Sequence, residues 1–394
     1  MDDILNLKRE IIVVGDTELG AGTLTDDFIS DKALSNLILE HTHKDTAVDF
    51  IFNGDTFDFL KCPYIIDGKH TYPRHITSEI AIKKFFDIYR AHKPVFQAIK
   101  KFVKNKNNRI FFIIGNHDPD LIFEDLQGEI KDIIDAKGNV FFRFEYNFHN
   151  VYAEHGHQYD FLNKVNKKRL FIKYKREKIL NIPWVSFGLI SNFMNIKEQF
   201  PFSERIKPWP KVFSHHKVIV KTLNWRAVEY IFKTLFYYPI RYFADPTHRI
   251  PRELFREFYR RLKNLHWDVD EIVHIFKRKH KRKRLKTKIH ILGHVHEKYI
   301  EEKKGKVIIH PDTWRDEYTF IDDDKLVNKS KHYVKILVHN NDALQYKLIE
   351  YPIKRKIIKF KDMISNEKQW IIKAAKEEGY EGLRKEIFEN LTNK

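Results

Sequence analysis

Four short apolar runs in the first 160 residues each end in a glycine next to a polar residue. The runs are EIIVVGD, VDFIFNGD, RIFFIIGNHD and NVYAEHG. Their β-branched and aromatic residues over such short lengths are typical of buried strands. A glycine at the end of a strand allows the backbone to turn sharply, so the polar residues beside it are expected in loops at one edge of a sheet.

Helical patterns separate these strands. The segment DDFISDKALSNLILEH places Leu34, Leu37 and Ile38 at helical spacing, and SEIAIKKFFDIYRAH opens with Ser78 and Glu79, which favour a helix start. Strands that alternate with helices predict an α/β domain. The functional groups of such a domain lie at the carboxyl ends of its strands.

From about Phe161 the pattern changes to long basic and aromatic stretches without clear strands. Strand-like runs return in KIHILGHVH, KVIIHPDTW, HYVKILVH and ALQYKLIEY, and a helical tail is expected from about Asp362 to Asn393. The sequence therefore predicts a core in two parts, 1–160 and 289–351, interrupted by a basic, mostly helical insert at 161–288 and followed by a tail at 352–394.

Composition is that of a globular protein, since 42% of the 394 residues are hydrophobic. The single cysteine, Cys62, excludes an intrachain disulfide and favours an intracellular compartment. Neither a secretory signal nor a convincing membrane span is predicted, because the longest uncharged stretch, 179–196, contains Asn, Pro, Ser and Gly. The expected location is the cytoplasm, with peripheral attachment to a membrane as an alternative.

Positive charge is concentrated in the insert. Residues 161–288 contain 32 Lys and Arg against 10 Asp and Glu, a net charge of +22, whereas the whole chain has +18. The run KRKHKRKRLKTK at 277–288 holds nine of these cations. Such a segment is expected to bind phosphate-rich partners, either nucleic acid or an anionic membrane surface. The remaining alternative is a solvated basic face.

Polar residues capable of binding metal follow five of the apolar strands. They are Asp16 and Glu18; Asp55 and Asp58; Asn116, His117 and Asp118; His155 and His157; His294 and His296. Five strand ends with carboxylate, amide and imidazole groups indicate a shared metal centre. Two divalent ions about 3.5–4 Å apart would clamp the attacking and leaving oxygens of a displacement at phosphorus.

The ordered motifs GD-x-E, GD-x-x-D, GNHD, HG and GH-x-H resemble those of the calcineurin-like metallophosphoesterases. The resemblance covers roughly Glu10–Asp160 and Lys288–Tyr351. It implies a four-layer α/β/β/α fold with two central mixed sheets. It also implies two divalent metal ions as cofactors, for which we expect Mn²⁺, with Fe²⁺, Mg²⁺ or Zn²⁺ as alternatives.

The resemblance further implies a role for each motif residue. The first metal would be held by Asp16, Glu18, Asp55 and His296, and the second by Asp55, Asn116, His155 and His294, so that Asp55 bridges the two. His117 would contact the phosphate and protonate the leaving group. Asp58 would orient His117, and His157 is expected at the rim of the site or behind its ligands.

Glu18 departs from the family pattern, which has Asp-x-His at the first motif. Glutamate binds Mn²⁺ and Mg²⁺ well, so we expect a first site that is richer in oxygen and prefers these ions to Zn²⁺. The alternative is that Glu18 turns away and the first metal binds weakly.

The segments GDTELGAGTLTDDF, NGDTFDFL, EHGHQYDFLN and HPDTWRDEY resemble the branch that contains UDP-2,3-diacylglucosamine hydrolases. Those enzymes have arginine where this chain has His117, a difference that argues against their particular pyrophosphatase reaction and favours a general phosphomonoester or phosphodiester hydrolase. The expected substrate is a phosphate ester, and a pyrophosphate is kept beside the phosphomonoester and the phosphodiester. Two alternatives stay open: a nuclease that holds nucleic acid with its insert, and a non-catalytic scaffold.

Overall fold

The computed structural model describes residues 7–42, 45–251, 269–283, 286–353 and 355–383. Parts of the predictions above lie outside these residues. They are residues 1–6 and 43–44 of the predicted core, the insert segment 252–268, which includes Trp267, positions 284–285 of the basic run, and position 354 and residues 384–394 of the tail.

A six-stranded mixed sheet forms the centre of the molecule. Its strands are, in spatial order, Leu344–Tyr351, Lys331–His339, Leu7–Val14, Val48–Phe52, Arg109–Ile113 and Val140–Arg143. The last four run parallel to one another, and the first two form an antiparallel hairpin on one edge. The four parallel strands therefore all end on the same side of the sheet, and the polar motifs follow these carboxyl ends.

Alternate residues of this sheet enter two different cores, which explains why its strands are apolar throughout. Ile12 and Val14 pack in a cluster with four helices, whereas Ile11 and Val13 pack against a second sheet. The four helices are Asp31–Glu40, Ser78–Ala91, Lys93–Val103 and Glu124–Ile133.

The second sheet has five strands, in the order Lys298–Lys303, Lys306–Pro311, Ile289–Ile291, Val151–Ala153 and Tyr146–Phe148. Ile289 and Ile291 face the first sheet. On the opposite side, Tyr152 and Ile308 pack against Phe276 of the helix Val269–Lys283. Helices, two sheets and an outer helix make four layers, so the α/β/β/α fold expected from the sequence is confirmed.

The insert is mostly helical in its described part. Its helices are Trp184–Gly188, Met194–Gln199, Trp209–His215, Lys217–Phe232, Tyr238–Arg241 and Val269–Lys283, with π-helical turns at Leu189–Phe193 and Lys233–Tyr237. It also contains a hairpin, Phe171–Tyr174 with Glu177–Leu180. The last helix, assigned to the insert by sequence, supplies the outer layer of the core.

A third, smaller sheet joins the insert to the rest of the chain. It consists of Ile206–Lys207, Tyr318–Phe320, Lys325–Asn328 and Ile358–Lys359. The tail helices Phe360–Ser365 and Glu367–Glu378 pack on it in a separate hydrophobic cluster. Shorter elements are the hairpin Tyr64–Ile66 with Lys69–Thr71 and the 3₁₀ turns Pro119–Ile122, His157–Tyr159, Ser203–Arg205 and Pro246–His248. Among the described residues, none of the helices has both the length and the apolar character needed to span a bilayer.

Candidate metal centre

Residues from both central sheets converge beyond their strand ends. The Nε2 atom of His155, after a strand of the second sheet, lies 3.0 Å from Asp55 Oδ2 and 3.2 Å from Asn116 Oδ1, which follow two strands of the first. On the other side of the ring, His155 Nδ1 is 3.7 Å from Asp16 Oδ1. The face-to-face packing of the sheets thus brings together four of the predicted ligands.

Among the described residues, three groups of acids and histidines have the spacing that a metal ion requires, and two of them overlap at this centre. One ligand atom each from Asp55, His155 and His294 lie within 4.8 Å of one another, and the same holds for Glu18, Asp55 and His117. Asp55 belongs to both groups, as a bridging carboxylate must. His296 completes the arrangement, since its Nε2 is 3.5 Å from both Asp16 Oδ1 and Glu18 Oε1.

Five of the predicted ligands have a left-handed backbone, which residues other than glycine rarely adopt. The residues, with their φ angles, are Asp16 (42°), Glu18 (49°), Asp55 (47°), His294 (81°) and His296 (59°). Such conformations carry strain, and they cluster at functional sites where the surrounding structure enforces them. The strand ends are bent here so that the side chains point into one centre.

Two glycines of the motifs allow this close approach. A Cβ atom on Gly115 would lie 2.0 Å from Asp55 Oδ1. At Gly54, where φ is +86°, a Cβ atom would lie 2.4 Å from the imidazole of His155. Any larger residue at either position would displace a candidate ligand.

The imidazoles of the three candidate ligands His155, His294 and His296, and that of His117, each engage an oxygen atom through one ring nitrogen. Metal-bound histidines usually do so through the ring nitrogen that does not face the metal. The pairs are His155 Nδ1 with the Asn53 carbonyl (3.1 Å), His117 Nδ1 with Asp58 (2.9 Å), His294 Nε2 with Asp160 (3.3 Å) and His296 Nδ1 with Glu317 (3.1 Å). The predicted Asp58–His117 contact is therefore present.

The centre attracts positive charge. Burial by itself lowers the pKa of an imidazole, but at His155 the carboxylates of Asp55 and Asp16 outweigh it and raise the pKa to about 10. At His117 burial is likewise outweighed, by Glu18, Asp58 and Asp55, and the pKa rises to about 9. The carboxylates thus favour cations at this position, whether protons on the rings or metal ions.

Glu18 lies at the edge of the centre and faces in two directions. Its side chain is fully buried, with Oε1 near His296 on the side of the candidate ligands. On the other side, Oε2 is 2.8 Å from Lys61 Nζ, and Oε1 is 3.3 Å from Arg315 Nη1. Glu18 is therefore within reach of the first metal position and is at the same time the counter-ion of two buried cations.

These cations belong to a buried network that the sequence reasoning missed. Besides Glu18, Lys61 and Arg315, it comprises Asp27, Asp58, Lys197, Glu204 and Arg205. Lys61 lies three residues after Asp58 in DTFDFLK, a spacing that could have suggested an ion pair. The three insert residues, Lys197, Glu204 and Arg205, give no local signal for this network, because their partners outside the insert, Asp27, Lys61 and Arg315, are distant in sequence.

Two other acidic or imidazole groups of the motifs support the loops. Asp118 accepts hydrogen bonds from the backbone N–H groups of Gly115 and Thr56, each at 2.7 Å. Burial, together with the charge of Asp55, raises its pKa to about 8. His157 is only 2% exposed and lies beside His155, so it stands behind the ligands and not at the rim.

The donor set fits a divalent cation at both positions. Asp55, Asn116, His155 and His294 would hold the second ion through two imidazoles, an amide and a carboxylate. Asp16, Asp55 and His296 would hold the first, with Glu18 as a shared fourth ligand. Mixed oxygen and imidazole donors suit Mn²⁺, Fe²⁺ and Zn²⁺, and carboxylates alone suit Mg²⁺.

The comparisons with known proteins give weak similarities. No family model and no curated protein matches the chain. Among solved structures, a single mutant of Vps29 from Entamoeba histolytica matches with 11% identity and a TM-score of 0.26, over 87% of this chain and 99% of that one. A Streptococcus pneumoniae protein described as a predicted phosphoesterase has 9% identity and a TM-score of 0.24, over 86% and 97%.

A third structure, from Staphylococcus aureus, is named provisionally as a 5′-nucleotidase. It shares 12% identity with a TM-score of 0.29, and the match covers 94% of this chain and 58% of that one. TM-scores this low carry no argument about the function of this chain.

Proposed function

We propose that this chain is a metal-dependent hydrolase of phosphate esters, of the calcineurin-like metallophosphoesterase type, that uses two divalent ions and prefers Mn²⁺. The observation that carries the proposal is the convergence of Asp16, Asp55, Asn116, His155 and His294 from five strand ends. Anchored imidazoles and left-handed ligand backbones support a built site over a chance cluster.

Asp55 would bridge the two positions, with Asp16 and His296 on one side and Asn116, His155 and His294 on the other. Bound divalent ions supply Lewis-acid chemistry there, polarising the phosphoryl group and activating water.

His117 would act on the leaving group. Its Nδ1 is 2.9 Å from Asp58 Oδ1, which fixes the ring and directs Nε2 away from that carboxylate. The Asp58 carboxylate stabilises a protonated ring, so that His117 can donate a proton from Nε2 to the departing oxygen. The arginine of the UDP-2,3-diacylglucosamine hydrolases is missing at this position, which favours a phosphomonoester or phosphodiester over their pyrophosphate substrate.

The test measures hydrolysis of a phosphomonoester, a phosphodiester and a nucleotide pyrophosphate with added Mn²⁺, alongside the metal content of the purified protein. Asp55→Asn is expected to lose at least one of two bound ions and nearly all activity. The matched control is Asp323→Asn, because the Asp323 side chain is fully exposed and pairs with Lys211 instead of a candidate ligand. A metal-free wild-type protein that is inactive on all three esters would favour the scaffold alternative. Metal binding and hydrolysis that survive Asp55→Asn would contradict the proposed site.

A further inference from the structure

A long apolar stripe runs along the outer side of the insert. Its residues, which we call the outer stripe, are Trp225, Val228, Phe232, Phe236, Ile240 and Phe243, spaced three or four positions apart. Trp225 is 71% exposed, Phe232 62%, Ile240 70% and Phe243 92%. The rings of Phe232 and Phe236 are 4.8 Å apart, so the stripe is continuous through the π-helical turn. Large contiguous apolar surfaces of this kind mark interaction sites.

The opposite side of the same segment is firmly packed. Tyr230 lies against Trp184, with ring centroids 5.3 Å apart, and its hydroxyl group closely approaches Gly188. Tyr238 is buried and stacks at an angle against His248. The segment is thus held in place by its inner face, and the outer stripe is directed away from the rest of the described chain.

Two lysines flank the stripe at its Trp225 end. Lys217 and Lys221 line a shallow groove together with Trp225 and Val228, and neither lysine forms an ion pair with a described residue. The one acidic residue of the helix Lys217–Phe232 is Glu229, which is already paired with Arg226 at 2.8 Å and Lys233 at 2.6 Å. The groove beside Trp225 and Val228 is therefore basic.

We propose that the outer stripe docks on the surface of an anionic lipid bilayer. Aromatic and aliphatic side chains would enter the boundary between headgroups and acyl chains, and the lysines would contact lipid phosphates. One exposed Trp and three exposed Phe along a single apolar stripe, with flanking Lys, are typical of surfaces that dock in this way.

The alternatives fit the surface less well. A second copy of the chain, related by a two-fold axis, would place the same basic face opposite itself and oppose like charges. A nucleic acid strand would find cations, but Val228 and Ile240 offer it neither a stacking platform nor a hydrogen bond. The combination of exposed aliphatic and cationic side chains matches lipid.

Co-sedimentation of the full chain with vesicles tests the proposal. The wild-type protein is expected to bind vesicles of equal parts phosphatidylcholine and phosphatidylglycerol, and to bind pure phosphatidylcholine at least about tenfold less. The variant Trp225→Ser/Phe232→Ser/Phe236→Ser is expected to lose at least about tenfold in bound fraction. Lys217→Gln/Lys221→Gln should weaken binding by about tenfold or more, since each lysine near an anionic surface contributes about 1 kcal/mol.

A matched control replaces three exposed isoleucines elsewhere, Ile65→Ser/Ile300→Ser/Ile321→Ser, and is expected to bind as the wild type does. Because every replaced residue is exposed, all variants are expected to unfold at the temperature of the wild type. Thermal unfolding verifies that they are folded. A blue shift of tryptophan emission on vesicle addition, absent in Trp225→Phe, would locate the contact.

Three results would overturn the proposal: a wild-type protein that stays in the supernatant, a triple variant that binds as well as the control, or a wild-type dimer in light scattering that the triple variant loses. The last result would identify a second copy as the occupant. Single-stranded RNA that binds and competes with vesicles through the same residues would likewise exclude lipid as the preferred partner.

Discussion

The ammonium group of Lys61 lies 2.8 Å from Glu18 Oε2 and 2.9 Å from Asp58 Oδ2, so one buried cation connects a candidate metal ligand with the acid that orients His117. It also lies 2.9 Å from Asp27 Oδ2. Burial alone would lower the pKa of this lysine and the nearby Arg315 also lowers it, but the three carboxylates raise it well above its usual range. Lys61 is charged, and its carboxylate partners depend on that charge.

Replacing Lys61 by methionine is expected to lower the free energy of unfolding by about 3–5 kcal/mol, because it leaves buried carboxylates without a partner. Urea unfolding of Lys61→Met, Glu18→Gln and the double variant measures the coupling between the two residues. We expect the double variant to be less destabilised than the sum of the single variants by about 1–3 kcal/mol. The surface control is Lys83→Met, expected within about 0.5 kcal/mol of the wild type. Equal effects of Lys61→Met and Lys83→Met would show that Lys61 has no such role.

His117→Gln is expected to act according to the leaving group. For an alkyl phosphate, whose alkoxide leaves poorly without a proton, kcat should fall by about 100- to 10,000-fold. For a nitrophenyl phosphate, whose phenolate leaves readily, the loss should be much smaller. The exposed His70 supplies a control, His70→Gln, with no expected change on either ester. An equal loss on both esters would assign His117 to binding or folding instead of proton donation.

Two glycines permit a test of how closely the motifs approach one another. Gly115→Ala is expected to displace Asp55, because the new methyl group would lie 2.0 Å from its Oδ1 atom, and so to reduce bound metal and activity together. Gly128 lies inside the helix Glu124–Ile133, and a Cβ atom added there would meet no atom of another part of the chain within 4 Å. Gly128→Ala should therefore stabilise the fold by up to about 1 kcal/mol. The measurements are the metal content and the thermal unfolding of both variants. A fully metal-loaded Gly115→Ala would mean that the site is looser than these contacts indicate.

The local pattern of apolar and polar residues was sufficient to predict the strands of the core. Runs such as EIIVVGD became buried strands, because their alternate residues enter two cores and must all be apolar. The convergence of the strand ends also followed, since parallel strands deliver their carboxyl ends to one edge of a sheet. The buried cations that pair with Glu18 could not be predicted from the sequence.

The partners of Glu18 are long-range. Lys61 is 43 positions away and Arg315 is 297 positions away, and nothing in the motif GD-x-E indicates either. The sequence therefore left two alternatives for Glu18: it is a metal ligand, or it turns away and the first metal binds weakly. The structure places it between the candidate ligands and a buried ion network. The outer stripe was hidden for a related reason: helical spacing in the insert does not reveal which face packs on Trp184 and which remains exposed.

Glu367 should make the stability of the fold depend on pH. It begins the helix Glu367–Glu378, and its carboxylate accepts a hydrogen bond of 2.8 Å from the Phe202 N–H group. Burial raises its pKa from 4.5 to about 7, although the N–H groups of Phe202 and Ser203 and the charge of Arg205 oppose the rise. His216, whose Nε2 is 3.8 Å from the carboxylate, has its own pKa lowered by burial. It therefore adds little positive charge near neutral pH.

A group with a raised pKa in the folded state binds more protons there than in the unfolded chain. Its stabilising effect is therefore complete below pH 4.5 and is lost as the pH rises through about 7, a total of roughly 3 kcal/mol. Glu367→Gln should remove this dependence. Between pH 5 and pH 8 the free energy of unfolding of the variant should therefore increase, relative to that of the wild type, by up to roughly 3 kcal/mol. Urea unfolding at both pH values measures the gain, with the exposed Glu377→Gln of the same helix as control. A difference between Glu367→Gln and wild type that is the same at pH 5 and pH 8 would mean that Glu367 releases its proton at the ordinary pH, and that the helix start is hydrated.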